Sequence, residues 1–485
     1  MRVVMVTPDI VIDRRIILEA KSLVETGKEV IIVASWAEGL EEYEIVDQIK
    51  IHRVKYNGVD PRYRWVYQFQ GILIHLINVL SNLVNRGNTF NLNLFNRGLN
   101  KLSTLASGFF NLIIRILNTA IRALAWGTNR ILNLLGRLGN KIIGLWARGC
   151  VFGFGLAAKT INKITALTAK SLSKLHAMSG YEYHVMKVVQ KYEGDVYHAH
   201  DLPVLRSTAE AAANVNAKVV YDAHELYTEI GELSPSYRAK LSKVEKKYIA
   251  AVDATITVNE FISDEMANRY NIKAPYVLYN STIRPSSFDI NRRYDKFREK
   301  WPELAEKKIV LYQGWFSLYR NLLQLVESAQ FVNDDICLVF MGYGEERTVL
   351  EQRCKELGIA DKVYFMDAVS QEVLLQYSAS ADAGIIPYPP VDMNHYYCSP
   401  NKLFEFMQAG LPIIASDLPF LSKIIDGYGI GVTAKLDSPE AFAKAINRFF
   451  EQGDVSIYRE RLQRAADDFS WSNDARKLLN IYEKL

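Results

Sequence analysis

The sequence predicts an α/β protein of two doubly wound domains with parallel sheets, interrupted by an inserted all-α amphipathic region. Short β-rich runs alternate with amphipathic helical stretches on either side of the insertion. The insertion, residues 64–178, lacks this alternation and carries an eleven-residue repeat instead. With 485 residues and 49% hydrophobic residues, the chain is long enough to form a separate core in each domain.

The first domain is predicted to comprise residues 1–63 and 179–284, where β-rich runs recur. They are RVVMVTP, EVIIVAS and KIHRVKY before the insertion, and DVYHAH, KVVYDAH, ATITV and YVLYN after it. Such short apolar runs, with amphipathic helices between them, are typical of a parallel sheet covered on both faces. The N-terminal MRVVMVTPDI is therefore interpreted as a buried first strand and not as a signal peptide.

The second domain is predicted to span residues 285–468, after a linker near 283–291 in which Pro285 and two serines interrupt the pattern. Its β-rich runs are KIVLYQG, ICLVFMG, KVYFMD, AGIIPY, PIIAS and GIGVTA, separated by helical stretches such as RNLLQLVESAQ and EAFAKAINRFF. The last segment, residues 469–485, is predicted to form a further helix.

Charge is divided unevenly along the chain. The net charge is only +4, which excludes a protein dedicated to nucleic acid. However, no Asp or Glu lies between Asp60 and Glu182, a stretch that holds fifteen Lys and Arg, so the remainder carries −11. The four cysteines are far apart and show no CxxC spacing, which indicates a reducing compartment without structural zinc. We therefore expect a cytoplasmic protein.

The insertion has a period of eleven residues. Twelve of its basic residues fall on two of the eleven register positions, where random placement would put about three. They are Arg64, Arg86, Arg97, Arg130, Lys141, Lys163 and Lys174 at one position, and Arg115, Arg137, Arg148, Lys159 and Lys170 at the other. Eleven residues in three turns are close to the natural helix period, so one polar face stays aligned along a nearly straight helix.

The opposite face of this repeat is wide and apolar, which predicts a helix array lying on an anionic membrane surface. The predicted membrane contacts are Phe109, Phe110, Ile113, Trp126, Leu134 and Trp146. The protein would then be peripheral or monotopic at the cytoplasmic face of a membrane.

Three other interpretations of the insertion stay open. A transmembrane span is disfavoured because the longest window without a basic residue, 65–85, contains Gln, His and Asn. Association through the insertion into a helical oligomer would normally use Glu residues beside the basic ones, and the insertion has none. Nucleic-acid binding would leave the apolar face unexplained, so no nucleic-acid partner is expected.

Polar residues follow several of the predicted strands. Because the carboxyl ends of parallel strands meet at one edge of each sheet, these residues should face a cleft between the two domains. They are His198, His200 and Asp201, then Asp222, His224 and Glu225, and in the second domain Gly314 to Arg320 and Ser399 to Glu405.

The order of these segments resembles the retaining GT-B glycosyltransferases of glycosyltransferase family 4. The motifs are a DxR at Asp13 and Arg15, then HAHDLP, YDAHELYTE, YQG with Arg320 six residues after Gly314, MGYGEE, and SPNKLFEFMQAGLPIIASDLP. The resemblance covers about three quarters of the chain, everything except the insertion. It implies two Rossmann-like domains, with the terminal helix crossing back to the first one. It also implies retaining transfer of a hexosyl group from a UDP- or GDP-type nucleotide sugar to a glycan or, given the insertion, a lipid-linked acceptor.

The resemblance also implies roles for residues. The predicted donor-binding residues are Gly314, Arg320, Ser399, Asn401, Lys402 and Glu405. The predicted catalytic residues are His224 and Glu225, and the acceptor-side residues are Asp13, Arg15, His200 and Asp201. Cations and a helix N-terminus suit a leaving diphosphate, and no D-x-D triplet is present, so we expect a metal-independent reaction without a cofactor.

One position departs from the family pattern. Members with the paired E-x7-E motif have a first Glu eight residues before Glu405, where this chain has Tyr397. In place of this Glu, the groups available to contact the donor sugar are Tyr396, Tyr397 and the backbone amides of residues 398–401. Two other functions therefore stay open: a GT-B sugar-nucleotide 2-epimerase, and a membrane scaffold with a decayed donor site.

Overall fold

A computed structural model describes residues 1–58, 178–451 and 455–485, together with scattered positions between 62 and 163. The chain divides into two units, one formed by Met1–Tyr56 with His184–Leu485 and the other by Asn57–Tyr183. Most of the second unit, including the eleven-residue repeat and the six predicted membrane contacts (Phe109, Phe110, Ile113, Trp126, Leu134 and Trp146), lies outside the described residues. No helix in the described part has both the length and the apolar character needed to cross a bilayer.

The first domain contains a sheet of eight strands in the described part of the chain, in the order β3-β4-β2-β1-β5-β6-β7-β8. All neighbours are parallel except β3 and β4, which are antiparallel. The strands are β1 (Arg2–Val6), β2 (Glu29–Ser35), β3 (Tyr43–Val46), β4 (Ile49–Val54), β5 (Val196–His200), β6 (Lys218–Ala223), β7 (Ala254–Thr257) and β8 (Tyr276–Val277).

The helices of this domain follow the strands in doubly wound order. They are α1 (Arg14–Glu25), α2 (Gly180–Val189), α3 (Leu202–Ala213), α4 (Pro235–Ile249) and α5 (Glu260–Tyr270). Side chains cap the N-terminus of several of these helices. Asp13 accepts a hydrogen bond from the backbone N–H of Arg15, and Asn259 accepts one from that of Ile262. These contacts satisfy N–H groups that would otherwise have no partner at a helix start.

The second domain contains a parallel sheet of six described strands, in the order β11-β10-β9-β12-β13-β14. The strands are β9 (Lys308–Trp315), β10 (Ile336–Tyr343), β11 (Val363–Asp367), β12 (Ala383–Ile386), β13 (Ile413–Ser416) and β14 (Gly431–Ala434). The helices are α6 (Lys296–Lys300), α7 (Leu322–Glu327), α8 (Arg347–Leu357), α9 (Gln371–Ser378), α10 (Met393–Tyr396), α11 (Asn401–Ala409), α12 (Pro419–Tyr428), α13 (Pro439–Glu451), α14 (Arg459–Asp468) and α15 (Trp471–Tyr482).

Helix α11 is held tightly against the sheet because of a glycine. A Cβ at Gly384 of β12 would lie 2.6 Å from the ring of Phe406, which is fully buried. Only glycine permits this approach, which fixes the start of α11 beside the carboxyl ends of β9 and β12.

Helix α15 belongs to the core of the first domain although it follows the second. Leu478, Ile481 and Tyr482 are buried among residues of α1 and of the central strands. Its Trp471 also donates a hydrogen bond from the indole N–H to Ser22 at 3.0 Å. The end of the chain therefore ties the two domains together.

The prediction of two doubly wound domains with parallel sheets is confirmed. The sequence pattern did not reveal β3, which is short, largely exposed and antiparallel at the sheet edge. Its hairpin turns through Asp47 and Gln48, both at positive φ, without the Asn-Gly or Asp-Gly pair that signals such turns.

Candidate active site

A cavity of about 920 Å³ lies between the carboxyl ends of the strands of the two domains. Its walls include the residues after β6, the ends of β9 and β10, and the N-terminus of α11. It brings together all the predicted catalytic and donor-binding residues: His224, Glu225, Gly314, Arg320, Ser399, Asn401, Lys402 and Glu405. These residues, up to 181 positions apart in the chain, thus face one space large enough for a small-molecule ligand.

Two cations in this cavity have no anionic partner in the described part of the chain. Lys402 is 6% exposed, and its Nζ makes no hydrogen bond there. This ammonium lies 3.8 Å from the ring centroid of Tyr312 and 5.0 Å from that of Tyr388, and the guanidinium of Arg320 stacks on Tyr388 at 4.3 Å. Burial, reinforced by the charge of Arg320, holds the pKa of Lys402 well below its ordinary value.

The start of α11 adds further donors. Pro400 precedes the helix, and the first N–H groups of any helix have no partner within it. The buried Ser399 Oγ also makes no hydrogen bond among the described residues. On the facing strand, Gly314 has φ of +123°, and a Cβ there would lie 3.5 Å from Lys402 Nζ. Unsatisfied donors, a helix N-terminus and two cations together form a site suited to a phosphate group.

Glu405, one turn into α11, is bonded on both oxygens. Its Oε1 accepts a hydrogen bond from Arg14 Nη1 at 2.7 Å, and its Oε2 accepts one from Gln313 Nε2 at 2.6 Å. Arg14 belongs to the first domain and also donates to Gln371 at 3.1 Å. The DxR motif indicates Asp13 and Arg15 but not Arg14. The role of Arg14 depends on its contact with Glu405, which lies 391 positions away in the sequence.

His224 follows β6 and is surrounded by carboxylates. Its Nε2 lies 3.5 Å from Asp222 Oδ2, and its backbone N–H donates to Asp201 Oδ1 at 2.9 Å. Burial alone would lower the pKa of His224, but the charges of Asp201 and Asp222 outweigh it and raise the pKa to about 10. The two carboxylates thus favour the imidazolium form of His224, whose Nδ1 lies 3.8 Å from Asp201 Oδ2.

The four predicted acceptor-side residues do not line this cavity. Arg15 is buried and donates from Nη2 to both oxygens of Asp222, at 2.8 and 2.7 Å, while Asp13 caps α1. His200 is fully buried, 3.3 Å from His224 Nε2, and Asp201 holds the backbone of His224. Asp201 also has φ of +65° and ψ of +162°, a conformation strained for a residue with a side chain. Arg15, His200 and Asp201 therefore hold the strand end and the loop that carry His224, whereas Asp13 only caps α1.

One buried group has the residue types of a metal site. Potential ligand atoms of Glu19, His198, His200 and Asp222 lie within 4.8 Å of one another. Arg15 already pairs with both carboxylates, since its Nε also donates to Glu19 Oε1 at 2.9 Å. The two carboxylates that a cation would use are thus already paired with a fixed positive charge.

Tyr397, which stands where the family pattern has a first Glu, is directed away from the cavity. Its ring stacks on Phe261 of the first domain at 5.9 Å, and its carbonyl accepts a hydrogen bond from Asn259 Nδ2 at 2.8 Å. The residues that do line this part of the cavity are Asn394, His395 and Cys398. The sequence pattern gave no signal for Asn394.

Comparison with known families decides what this architecture is. Residues 293–469 match the family described as Glycosyl transferases group 1, and residues 160–282 match Glycosyltransferase Family 4. The second domain is therefore similar to the group 1 glycosyltransferases and the first domain to family 4, in an architecture of the GT-B type.

Several known proteins are similar to this chain. An uncharacterized glycosyltransferase of Methanocaldococcus jannaschii is 26% identical over 309 residues, 61% of this chain and 76% of the relative. The phosphatidyl-myo-inositol mannosyltransferase of Mycobacterium leprae is 25% identical over 199 residues, 38% of this chain and 48% of the relative. The HepE protein of Anabaena, solved with UDP and glucose, has the same fold with a TM-score of 0.60 and 13% identity, and the match covers 100% of each chain.

Proposed function

We propose that this chain is a GT-B glycosyltransferase that transfers a hexosyl group from a UDP- or GDP-type sugar with retention of anomeric configuration and without a metal at the diphosphate. The observation that carries the proposal is the pair of basic side chains, Lys402 and Arg320, which face one cavity without an ion pair in the described chain. A diphosphate would supply a partner for both. A decayed scaffold would have no reason to keep a lysine here, since burial disfavours its charged form.

In the proposed reaction, these cavity groups stabilise the charge that develops on the leaving diphosphate. As the bond between the sugar C1 and the diphosphate oxygen breaks, negative charge grows on that oxygen next to Arg320, Lys402 and the start of α11. His224, which lines the same cavity, would place positive charge near the sugar and its leaving oxygen. The acceptor hydroxyl attacks C1 from the face that the diphosphate leaves, and its proton passes to the departing phosphate.

The acceptor is proposed to be lipid-linked or otherwise close to a membrane. Support comes from the amphipathic repeat of residues 64–178. The stretch between Asp60 and Glu182 that contains it has fifteen basic residues and no acidic ones. The mycobacterial relative is a phosphatidyl-myo-inositol mannosyltransferase, which is consistent with a lipid acceptor in this class of enzymes. The enzyme would then work at the cytoplasmic face of a membrane.

Two measurements test the reaction proposal. Calorimetry with UDP and with GDP in excess EDTA should detect binding of one of them. NMR of the product should give the same anomeric configuration as in the donor. Binding that requires a divalent cation would contradict the metal-independent mechanism, and an inverted product would contradict retention.

A further inference from the structure

The donor sugar needs hydroxyl-binding groups that residue 397 does not supply. The Tyr397 ring packs on Phe261, and Tyr397 is not among the residues that line the cavity, so it does not stand in for a carboxylate there. The polar groups that line the cavity beside the start of α11 must perform this recognition. Among them, Glu225 is the carboxylate of the first domain that comes directly after His224.

Glu225 is held in a defined orientation by the second domain. Asn394 of α10 donates from Nδ2 to Glu225 Oε2 at 2.7 Å. The Oδ1 of Asn394 accepts from the backbone N–H of Leu226 at 3.0 Å, which fixes the amide in one orientation. Close by, Asp392 Oδ2 accepts from the backbone N–H of Gly231 at 2.9 Å. The loop after His224 is therefore bonded across the cleft at three points.

This arrangement leaves part of Glu225 available. Its Oε1 makes no hydrogen bond to any residue that the structure describes, and the side chain is only partly buried, on the cavity wall. Its charge also reaches Arg320, because it is one of the groups that raise the pKa of that guanidinium against the effect of burial. A sugar attached to a diphosphate at Arg320 and Lys402 would extend toward Glu225.

We propose that Glu225, oriented by Asn394, accepts hydrogen bonds from the donor sugar's hydroxyl groups and thereby selects a neutral hexose over a hexuronic acid; this rests on the nucleotide-sugar function proposed above. An ionised carboxylate only accepts hydrogen bonds, which suits hydroxyl donors. A hexuronate would bring a second carboxylate into the same space. The diphosphate neutralises Arg320 and Lys402, and the charge of His224 is already offset by Asp201 and Asp222, so the second carboxylate would meet repulsion from Glu225.

The test measures binding of donors, so it does not need the acceptor. Calorimetry compares UDP-glucose with UDP-glucuronate, or GDP-mannose with GDP-mannuronate, according to which diphosphate binds. The wild-type protein should bind the neutral sugar nucleotide about tenfold more tightly than the uronate, as expected for a charged hydrogen bond. In Glu225→Gln this ratio should fall to about threefold or less, while the affinity for the diphosphate alone changes by less than about twofold.

Matched variants isolate the effect. Glu232→Gln removes an exposed carboxylate from the same loop and cavity rim, and should keep the wild-type ratio. Asn394→Ala, which leaves Glu225 charged but unsupported, should reduce the ratio part of the way. Tyr397→Phe tests the competing assignment and should leave the ratio unchanged.

The outcomes separate this proposal from the function on which it rests. If UDP or GDP binds and Glu225→Gln keeps the wild-type ratio, the selection of the sugar by Glu225 is wrong and the nucleotide-sugar function stands. A wild-type protein with no preference for the neutral sugar would overturn it as well. If neither diphosphate binds, both proposals fail.

Discussion

Lys402 is the residue whose position is hardest to explain without a ligand. Its Nζ is buried against two tyrosine rings and has no hydrogen-bond acceptor in the described chain. The charge of Arg320 also acts on it. Burying an ammonium in this way costs several kcal/mol, which an incoming diphosphate would offset. The site is thus arranged for an anion before any anion binds.

Removing either of two charged side chains that are predicted to bind the sugar donor should impair the reaction. Lys402→Ala and Glu405→Ala should each lower kcat/KM for the donor by about tenfold or more, since a charged hydrogen bond contributes about 1.5–3 kcal/mol. Steady-state kinetics with varied donor concentration measures this. Lys444→Ala, which removes an exposed lysine from α13, is the control. Wild-type kinetics in both cavity variants would refute our donor-site assignment.

Donor binding should also take up a proton at Lys402. Burial and Arg320 lower the pKa of this lysine in the free protein, and a bound diphosphate should raise it again. Binding then takes up a proton between the two pKa values, so affinity should fall as pH rises through that interval. Calorimetry in buffers of different ionisation enthalpy measures the uptake, which Lys402→Met should abolish. Enthalpies independent of the buffer from about pH 6 to 9 would contradict this prediction.

Residue types at strand ends, together with the family resemblance, predicted eight of the residues that line the cavity. They could not predict Arg14, because only the folded chain brings it to Glu405. Likewise, the sequence places Tyr397 at the family's carboxylate position but cannot give the direction of its side chain, which Phe261 determines. Arg15 and His200 carry polar groups that suit a site, yet they are buried and hold His224 instead.

At the scale of elements, α15 links the end of the second domain to the core of the first. Tyr482 near its end is 1% exposed, and its hydroxyl lies 2.8 Å from His198 Nδ1 beneath the cavity. Asp474 in the first turn of α15 accepts a hydrogen bond from Ser281 Oγ at 2.6 Å. These contacts anchor the helix to the strands that carry the buried histidines.

Loss of the Tyr482 hydroxyl should therefore destabilise the fold. Tyr482→Phe leaves His198 Nδ1 buried without its partner, so the free energy of unfolding should fall by about 1–3 kcal/mol. Chemical denaturation followed by circular dichroism measures the change. Tyr458→Phe is a matched control, since this tyrosine is also buried and its hydroxyl has no hydrogen bond within the described chain. Equal effects of the two substitutions would show that the His198 contact contributes nothing specific.

Most elements could be predicted because parallel strands buried on both faces have a clear composition. Strand β3 could not, because Tyr43, Ile45 and Val46 are exposed at a sheet edge, where composition is weakly constrained. The antiparallel pairing of β3 with β4 depends on the turn at Asp47 and Gln48, whose residue types give little signal.

At the scale of the whole molecule, the two-domain architecture does not explain why charge is distributed unevenly along the chain. The stretch between Asp60 and Glu182 carries +15, while the remainder of the chain carries −11. A soluble glycosyltransferase has no need of such a segment. We propose that it holds the enzyme at an anionic membrane surface, near its acceptor.

Vesicle flotation tests this membrane proposal. The full chain should float with anionic vesicles, less with neutral ones, and less again as salt is raised, because each basic residue near an anionic surface contributes about 1 kcal/mol. A protein lacking residues 64–178, verified as folded by circular dichroism, should remain unbound. Equal flotation of the two proteins would rule out the insertion as the membrane contact.

The most direct measurement is a crystal structure of the full chain with UDP or GDP, whichever binds in calorimetry. We expect the diphosphate to contact Arg320, Lys402 and the backbone at the start of α11, with the ribose hydroxyls at Glu405. A nucleotide bound in another pocket, with Lys402 still lacking an anion, would contradict the account.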